Sequence, residues 1–260
     1  MKLNFFSKSI PAFGLDLSGG SFKIMELVKA GGGVQIKACS NAAVTQGVVM
    51  NDEITDAKTF TFLLKQALEK PQFGRLGSSH VVVSLPESKS FVRVIQIPKM
   101  SESEAESAVP YEAENFIPLP LDQVYLDWQK IGESGDKMNV LMIATPKTFV
   151  DKYLEILDSV GLKTVAMEVE SQSCQRALIA KDNSENVLLV DLDAYRSSLI
   201  MVEQGNIQFT STIPIAGNTF TDAIARVLGV SAAKAEQVKQ RVAFPIPRNI
   251  PTSKHHYCRF

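Results

Sequence analysis

GLDLSGGSFKIMEL, residues 14–27, ends one apolar run in an aspartate, passes through Ser-Gly-Gly-Ser, and resumes in a second apolar run that carries a lysine. The pattern predicts two strands joined by a tight turn, the glycines supplying the backbone freedom that the turn needs. Such a turn aims several backbone N–H groups into one concavity, and concavities of that kind bind phosphate oxygens. Asp16, at the strand end, is placed to hold Mg²⁺ through water, because Mg²⁺ keeps most of its waters and takes one or two carboxylates. Lys23, in the returning strand, can reach the same phosphates. The structural alternative is a plain hairpin, with Asp16 capping the turn and Lys23 a solvated edge charge.

Working outward, β-rich segments continue the hairpin to residue 49, so a meander opens the chain. AKTFTFLLKQALE, residues 57–69, carries Phe60, Leu63, Leu64, Ala67 and Leu68 at helical spacing, and Pro71 ends it. HVVVSLP, from His80, is a continuous apolar run of strand length and reads as a strand buried on both faces. Ser101 with Glu104 three residues on is a capping box opening a helix, which Pro110 is expected to kink or interrupt. Residues 150–160 form an amphipathic helix stopped at Gly161. The opening design then returns around Asp191: apolar strand, Asp, short polar turn, apolar strand, and a third strand after Gly205-Asn206. Two helices follow, parted at Gly229-Val230-Ser231 with Ser231 as N-cap. After Gln240 the text becomes aperiodic, Pro-rich and basic.

Composition narrows the class. With 260 residues, 45% hydrophobic and 21% charged, the chain has enough apolar material for one large domain or two modest ones. A net charge of −1 and no block of like charge give nothing to attract nucleic acid or anionic lipid. No run approaches the 18 or so apolar residues of a transmembrane helix. Cys39, Cys174 and Cys258 are odd in number and lack CxxC spacing, the pattern of a reduced cytoplasmic protein without a zinc site. The HHYC stretch at residues 255–258 lacks a fourth ligand in register. Without a GxSxG elbow, serine-hydrolase chemistry is rejected.

A recurrent Asp-turn suits a nucleotide gripped between two similar domains, and with it the chain resembles the actin/hexokinase/heat-shock-chaperone superfamily. Within that group it is similar to the type IV pilus assembly PilM family, relatives of the cell-division protein FtsA. The resemblance rests on GLDLSGGSFKIMEL, on TQGVVMNDEITD, on EAENFIPLPLDQVYLDWQ, and on VLLVDLDAYRSSLIMVEQGNIQFTSTIPIAGNTFTDAIA, covering roughly residues 1–240 in order. It implies an α/β, actin-like ATPase (ribonuclease H-like) two-domain fold with an inserted α+β subdomain. Residues 1–172 would form the first domain with the insert at about 86–146, residues 173–240 a partial second domain, and residues 241–260 an atypical, disordered tail.

The resemblance further implies ATP and Mg²⁺ between the domains. Residue by residue, Asp16, Ser18, Gly19, Gly20, Ser21 and Lys23 match the first phosphate loop, Asp191 the second, and Gly217, Asn218 and Thr219 the turn into the following helix; Asp16 and Asp191 would hold Mg²⁺ through water. A cytoplasmic adaptor follows, with at most slow ATPase activity, docking the cytoplasmic N-terminal segment of an inner-membrane PilN-like protein in a groove near Phe116, Ile117, Pro118 and Leu119. Glu102, Glu104, Glu106, Glu112 and Glu114 read as a solvated helix face or as a surface for a basic partner segment.

Two departures from the family pattern have consequences. The second loop reads Asp191-Leu192-Asp193 where the superfamily has Asp-hydrophobic-Gly. Asp193 adds a Cβ and a negative charge where phosphate should sit, which predicts weakened ATP binding. Set against the family pattern, the change of character after Gln240 leads one to expect a truncated or frameshifted second domain without the later segment that would hold adenosine, and surface left without cover predicts self-association. The alternatives to an ATP-gated adaptor are a nucleotide-free interaction module and, against the inserted subdomain, a small-molecule kinase of the same superfold.

Overall fold

The computed structural model describes residues 10–17, 20–180 and 182–242. Ser18, Gly19 and the tail from residue 243 lie outside the described residues. The opening hairpin forms from β1 (Phe13–Asp16) and β2 (Ser21–Ala30), antiparallel, with Asp16 opposite Lys23. Gly31 and Gly32, both at positive φ, turn the chain into β3 (Gly33–Ala43). A small hairpin, β4 (Val49–Met50) and β5 (Glu53–Ile54), follows. Its turn residues Asn51 and Asp52 have φ of 51° and 63°, a left-handed region that Asn and Asp enter several-fold more readily than other side chains.

Helix α1 (Ala57–Glu69) starts where the Asp56 carboxylate accepts the Thr59 amide at 3.0 Å. After β6 (Phe73–Gly74) and β7 (His80–Leu85), the chain leaves the first sheet and re-enters it at β11 (Lys163–Val169). The sheet order is β11-β7-β1-β2-β3-β6, with β1, β7 and β11 parallel and β2 antiparallel to β1. This is the ribonuclease H-like arrangement of an actin-like first lobe. Strand β7 does not bury both faces: Val81 and Val83 enter the core while His80, Val82 and Ser84 are half-covered.

Between β7 and β11 lie β8 (Phe91–Pro98), α2 (Glu102–Ala113), β9 (Val124–Ser134), β10 (Lys137–Pro146) and α3 (Lys147–Ser159). Helix α3 returns to the first lobe beside α1. There Phe60 meets Phe22 edge-on at 5.0 Å and Tyr153 at 6.4 Å between ring centroids. The strands between form their own antiparallel sheet, β8-β10-β9. Helix α2 lays Ala105, Val109 and Ala113 on it. The capping box forms, Glu104 accepting the Ser101 amide at 2.8 Å. Pro110 does not interrupt α2: it deletes one backbone bond, and the buried stripe on either side holds the helix to Ala113.

A third sheet, β12-β13-β14, is an antiparallel meander of β12 (Val187–Leu192), β13 (Ser197–Glu203) and β14 (Asn206–Ile213). Helix α4 (Glu170–Leu178) leads from β11 into it. Helix α5 (Gly217–Leu228) ends on Gly229 at φ 62°, and α6 (Ala232–Val242) begins after Ser231. The third sheet packs one face on the insert, where Leu141 of β10 joins Ile200, Val202 and Ile207.

Candidate functional site

The two Asp-turns lie near each other: Tyr195 of the second approaches Gly20 of the first, and Asp191 and Asp193 act on Lys23. In the first, Lys23 Nζ lies 3.2 Å from Asp16 Oδ2, and the Gly20 carbonyl accepts the Val44 amide at 2.7 Å, tying the loop to the end of β3. Ser21 starts β2 opposite Ala43. In the second, Asp191 pairs in register with Ser198, and the Asp193 amide donates to the Arg196 carbonyl at 3.0 Å, closing a four-residue turn.

The loops share one electrostatic field. Burial works against the Lys23 charge, but Asp16, Asp193 and Asp191 outweigh it and raise its pKa. Burial, then Asp193, pushes the Asp191 carboxyl up, with Lys23 pulling the other way. Asp193 Oδ2 is buried without a hydrogen-bond partner. The structure thus brings Asp16, Lys23 and Asp191 together and adds Asp193 to them.

Gly217, Asn218 and Thr219 also lie at the second loop, but their groups are engaged. The Gly217 and Asn218 amides donate to the Asp193 and Ala194 carbonyls, each at 2.9 Å, and Thr219 Oγ1 accepts the Ala216 amide at 3.3 Å. Gly217 is needed for this approach, since a Cβ there would meet the Asp193 oxygen at 3.2 Å. Behind it Lys239 donates to the Gly217 carbonyl at 2.9 Å and to Thr221 Oγ1 at 2.8 Å, with Glu236 2.7 Å from the same ammonium.

Sequence reasoning missed the centre of this region. Arg196, 7% exposed, donates one guanidinium nitrogen to Asp52 Oδ1 and the other to both Glu170 oxygens at 2.7 and 2.9 Å. Glu170 Oε2 also accepts the Glu87 amide, while Glu87 Oε2 accepts the amide of Ser171. Burial pushes the Glu170 carboxyl up to about 7, against the pull of Arg196. Beside Arg196, Tyr195 lies over the first loop: a Cβ on Gly20 would meet its ring at 3.3 Å. The one signal in the sequence was the Asn-Asp pair of TQGVVMNDEITD, a turn that holds a carboxylate at a fixed backbone position.

The described residues offer a nucleotide few open groups. The Gly217 and Asn218 amides at the start of α5 are spent on protein carbonyls, Asp193 presents an unpaired carboxylate oxygen, and Tyr195 lies against Gly20. No group of three or more His, Cys, Asp or Glu among the described residues is arranged to hold a metal ion. An open hollow of about 840 Å³ has Arg196 and Asp52 in its wall with Asn51, Lys89, Tyr195 and Thr212, and takes in neither Asp16 nor Lys23.

The proposed groove residues divide. Ile117, Pro118 and Leu119 line a hollow of about 590 Å³ with Glu114, Leu121 and Asp122, although Ile117 is mostly committed to the insert core. Phe116 faces a different hollow, where Arg93 stacks on its ring at 4.6 Å.

A family model described as type IV pilus assembly protein PilM matches residues 14–250. Among solved structures, the chain is similar to one in the PilM-PilN type IV pilus biogenesis complex, with a TM-score of 0.74 and 26% identity over 89% of this chain and 69% of that one. It is also similar to the ethanolamine utilization protein EutJ of Carboxydothermus hydrogenoformans, with a TM-score of 0.49 and 14% identity over 88% of this chain and 61% of that one. For the cytoplasmic domain of EpsL from the type II secretion system of Vibrio cholerae the values are 0.48 and 14%, over 84% and 74%. With the family model spanning both loops and the insert between them, this chain belongs to the type IV pilus assembly PilM family and has its actin-like fold.

Proposed function

We propose that this chain is an adaptor of type IV pilus assembly, working at the cytoplasmic face of the inner membrane by docking the cytoplasmic N-terminal segment of a PilN-like membrane protein. The observation that carries this reading is the likeness, at a TM-score of 0.74 over 89% of the chain, to a structure of the PilM-PilN complex. Among the described residues no helix is long and apolar enough to cross a membrane, so on this reading the chain meets the membrane through its partner. The hollow at Pro118 and Leu119 offers an apolar floor rimmed by Glu114 and Asp122, suited to a short segment with apolar side chains and a basic residue. ATP gating of the groove, implied by the resemblance, has no support from the cleft residues, and docking is assigned to the apolar surface alone.

The test is a fluorescence anisotropy titration of the full chain into a labelled peptide from the partner's N-terminus. Saturable binding is expected, weakened about tenfold or more by Leu119→Asp, which puts a charge on the apolar floor. Absence of saturable binding would defeat the adaptor reading. Binding indifferent to Leu119→Asp would move the groove elsewhere.

A further inference from the structure

We propose that Arg196 is a built-in closing group: clamped between Asp52 and Glu170, it ties the second loop to the β4–β5 turn and the start of α4 without a nucleotide and, with Tyr195 beside it seated on Gly20, makes the cleft reject polyphosphate. The three clamped residues come from three places. Arg196 ends the β12–β13 turn, Asp52 sits in the β4–β5 turn, and Glu170 opens α4 at the end of the first sheet. The clamp therefore spans the first lobe, the connection, and the second lobe, with partners 144 and 26 residues away along the chain.

The clamp and a phosphate compete for the same cation. To serve a phosphate, Arg196 would have to leave Asp52 and Glu170, both nearly out of solvent, as carboxylates without a counter-charge, and removing one partner of a buried pair is strongly destabilising. Lys23 stands in the field of Asp16, Asp193 and Asp191 and contacts Asp16, and Lys239 at the second loop is held by Glu236, Thr221 and the Gly217 carbonyl. Asp193 adds a buried oxygen that no donor meets, so a phosphate oxygen arriving nearby finds repulsion in a region of low dielectric.

Backbone donors tell the same story. Phosphate sites at helix N-termini work because the first amides are unsatisfied. At α5 the Gly217 and Asn218 amides already donate to the second loop. The Tyr195 ring, close enough to Gly20 that even a methyl there would be crowded, narrows the space between the loops. Arg196, the Gly217 and Asn218 amides and the space over Gly20 are each taken up by the protein itself, and a transient ligand using them would have to undo these contacts together.

This inference does not depend on the identity of the membrane partner. It is tested by equilibrium dialysis of the full chain against labelled Mg-ATP, alongside hydrogen exchange of the β4–β5 turn and the start of α4. The unaltered chain is expected to show no saturation up to millimolar nucleotide and slow exchange at both segments. The double variant Asp193→Gly with Arg196→Ser, folded by its melting transition, is expected to exchange faster at both and to bind Mg-ATP about tenfold or more tighter. Saturable micromolar binding by the unaltered chain overturns the proposal, as does a folded double variant that neither binds nor exchanges faster. Should that variant fail to fold, Arg196→Lys keeps the charge but loses the two-pronged contact. Faster exchange at Asp52 in that variant supports the clamp, and unchanged exchange overturns it.

Discussion

At the scale of single residues, Glu170 is the most informative. Its carboxyl, pushed by burial to about 7, holds a proton more tightly in the folded chain than in the unfolded one, where the ordinary value of 4.5 applies. An acid shifted in this direction contributes its full stabilisation below about pH 4.5 and loses it as pH rises to 7, because the folded state must then carry a buried charge. The window corresponds to about 3 kcal/mol, moderated by the Arg196 contact. Melting temperature is therefore expected to fall between pH 5.5 and pH 8 by more in the unaltered chain than in Glu170→Gln, whose amide does not titrate. Equal slopes for the two proteins in calorimetry would show that Arg196 keeps Glu170 ionised throughout. The hairpin places Asp16 and Lys23 face to face, and Asp16 first, then Asp193 and Asp191, hold the Lys23 ammonium charged against its burial.

At the scale of elements, the local devices can be read from the sequence and the long-range ones cannot. The two Asp-hairpins, the Ser101 capping box and the Gly229 helix stop each depend on residues near one another in the chain, so their signals are local. Asp52, Glu170 and Arg196 have no period and no spacing in common, and only the tertiary fold brings the β4–β5 turn, the start of α4 and the β12–β13 turn together. The same limit splits Phe116 from Ile117: adjacent residues in the turn that ends α2 point to opposite sides, which hydrophobicity alone cannot distinguish. Pro110 errs in the other direction, a local breaker overruled by tertiary packing. The capping box offers a direct check. Ser101→Ala removes the acceptor for the Glu104 amide and is expected to cost about 1 kcal/mol. Urea unfolding should show a lower midpoint with an unchanged slope, since the surface exposed on unfolding is the same. A changed slope would mean that the insert unfolds separately from the lobes.

At the scale of the whole molecule, what remains uncovered matters as much as what is packed. The third sheet buries one face against the insert through Ile200, Val202 and Ile207. Its other face carries a row in which Leu188, Met201 and Phe209 lie opposite one another across β12, β13 and β14, and all three are exposed. Val190 and Leu192 extend that row along β12, which pairs only with β13 among the described residues and so presents a strand edge as well. Strands that are apolar on both faces belong to sheets covered on both sides, and an open apolar face beside an open edge favours association. A second copy of the chain is the partner always present at the same concentration. Sedimentation velocity is therefore expected to show a weight-average mass that rises with protein concentration. Val190→Thr with Phe209→Thr, which puts a strand-favouring β-branched residue at both positions while removing apolar surface, should shift that rise to about tenfold higher concentration. Their melting temperatures should stay near that of the unaltered chain, because both side chains are already in water. A single species of monomer mass at every concentration would show that the row stays solvated. A rise that both substitutions leave untouched would place the contact on another surface.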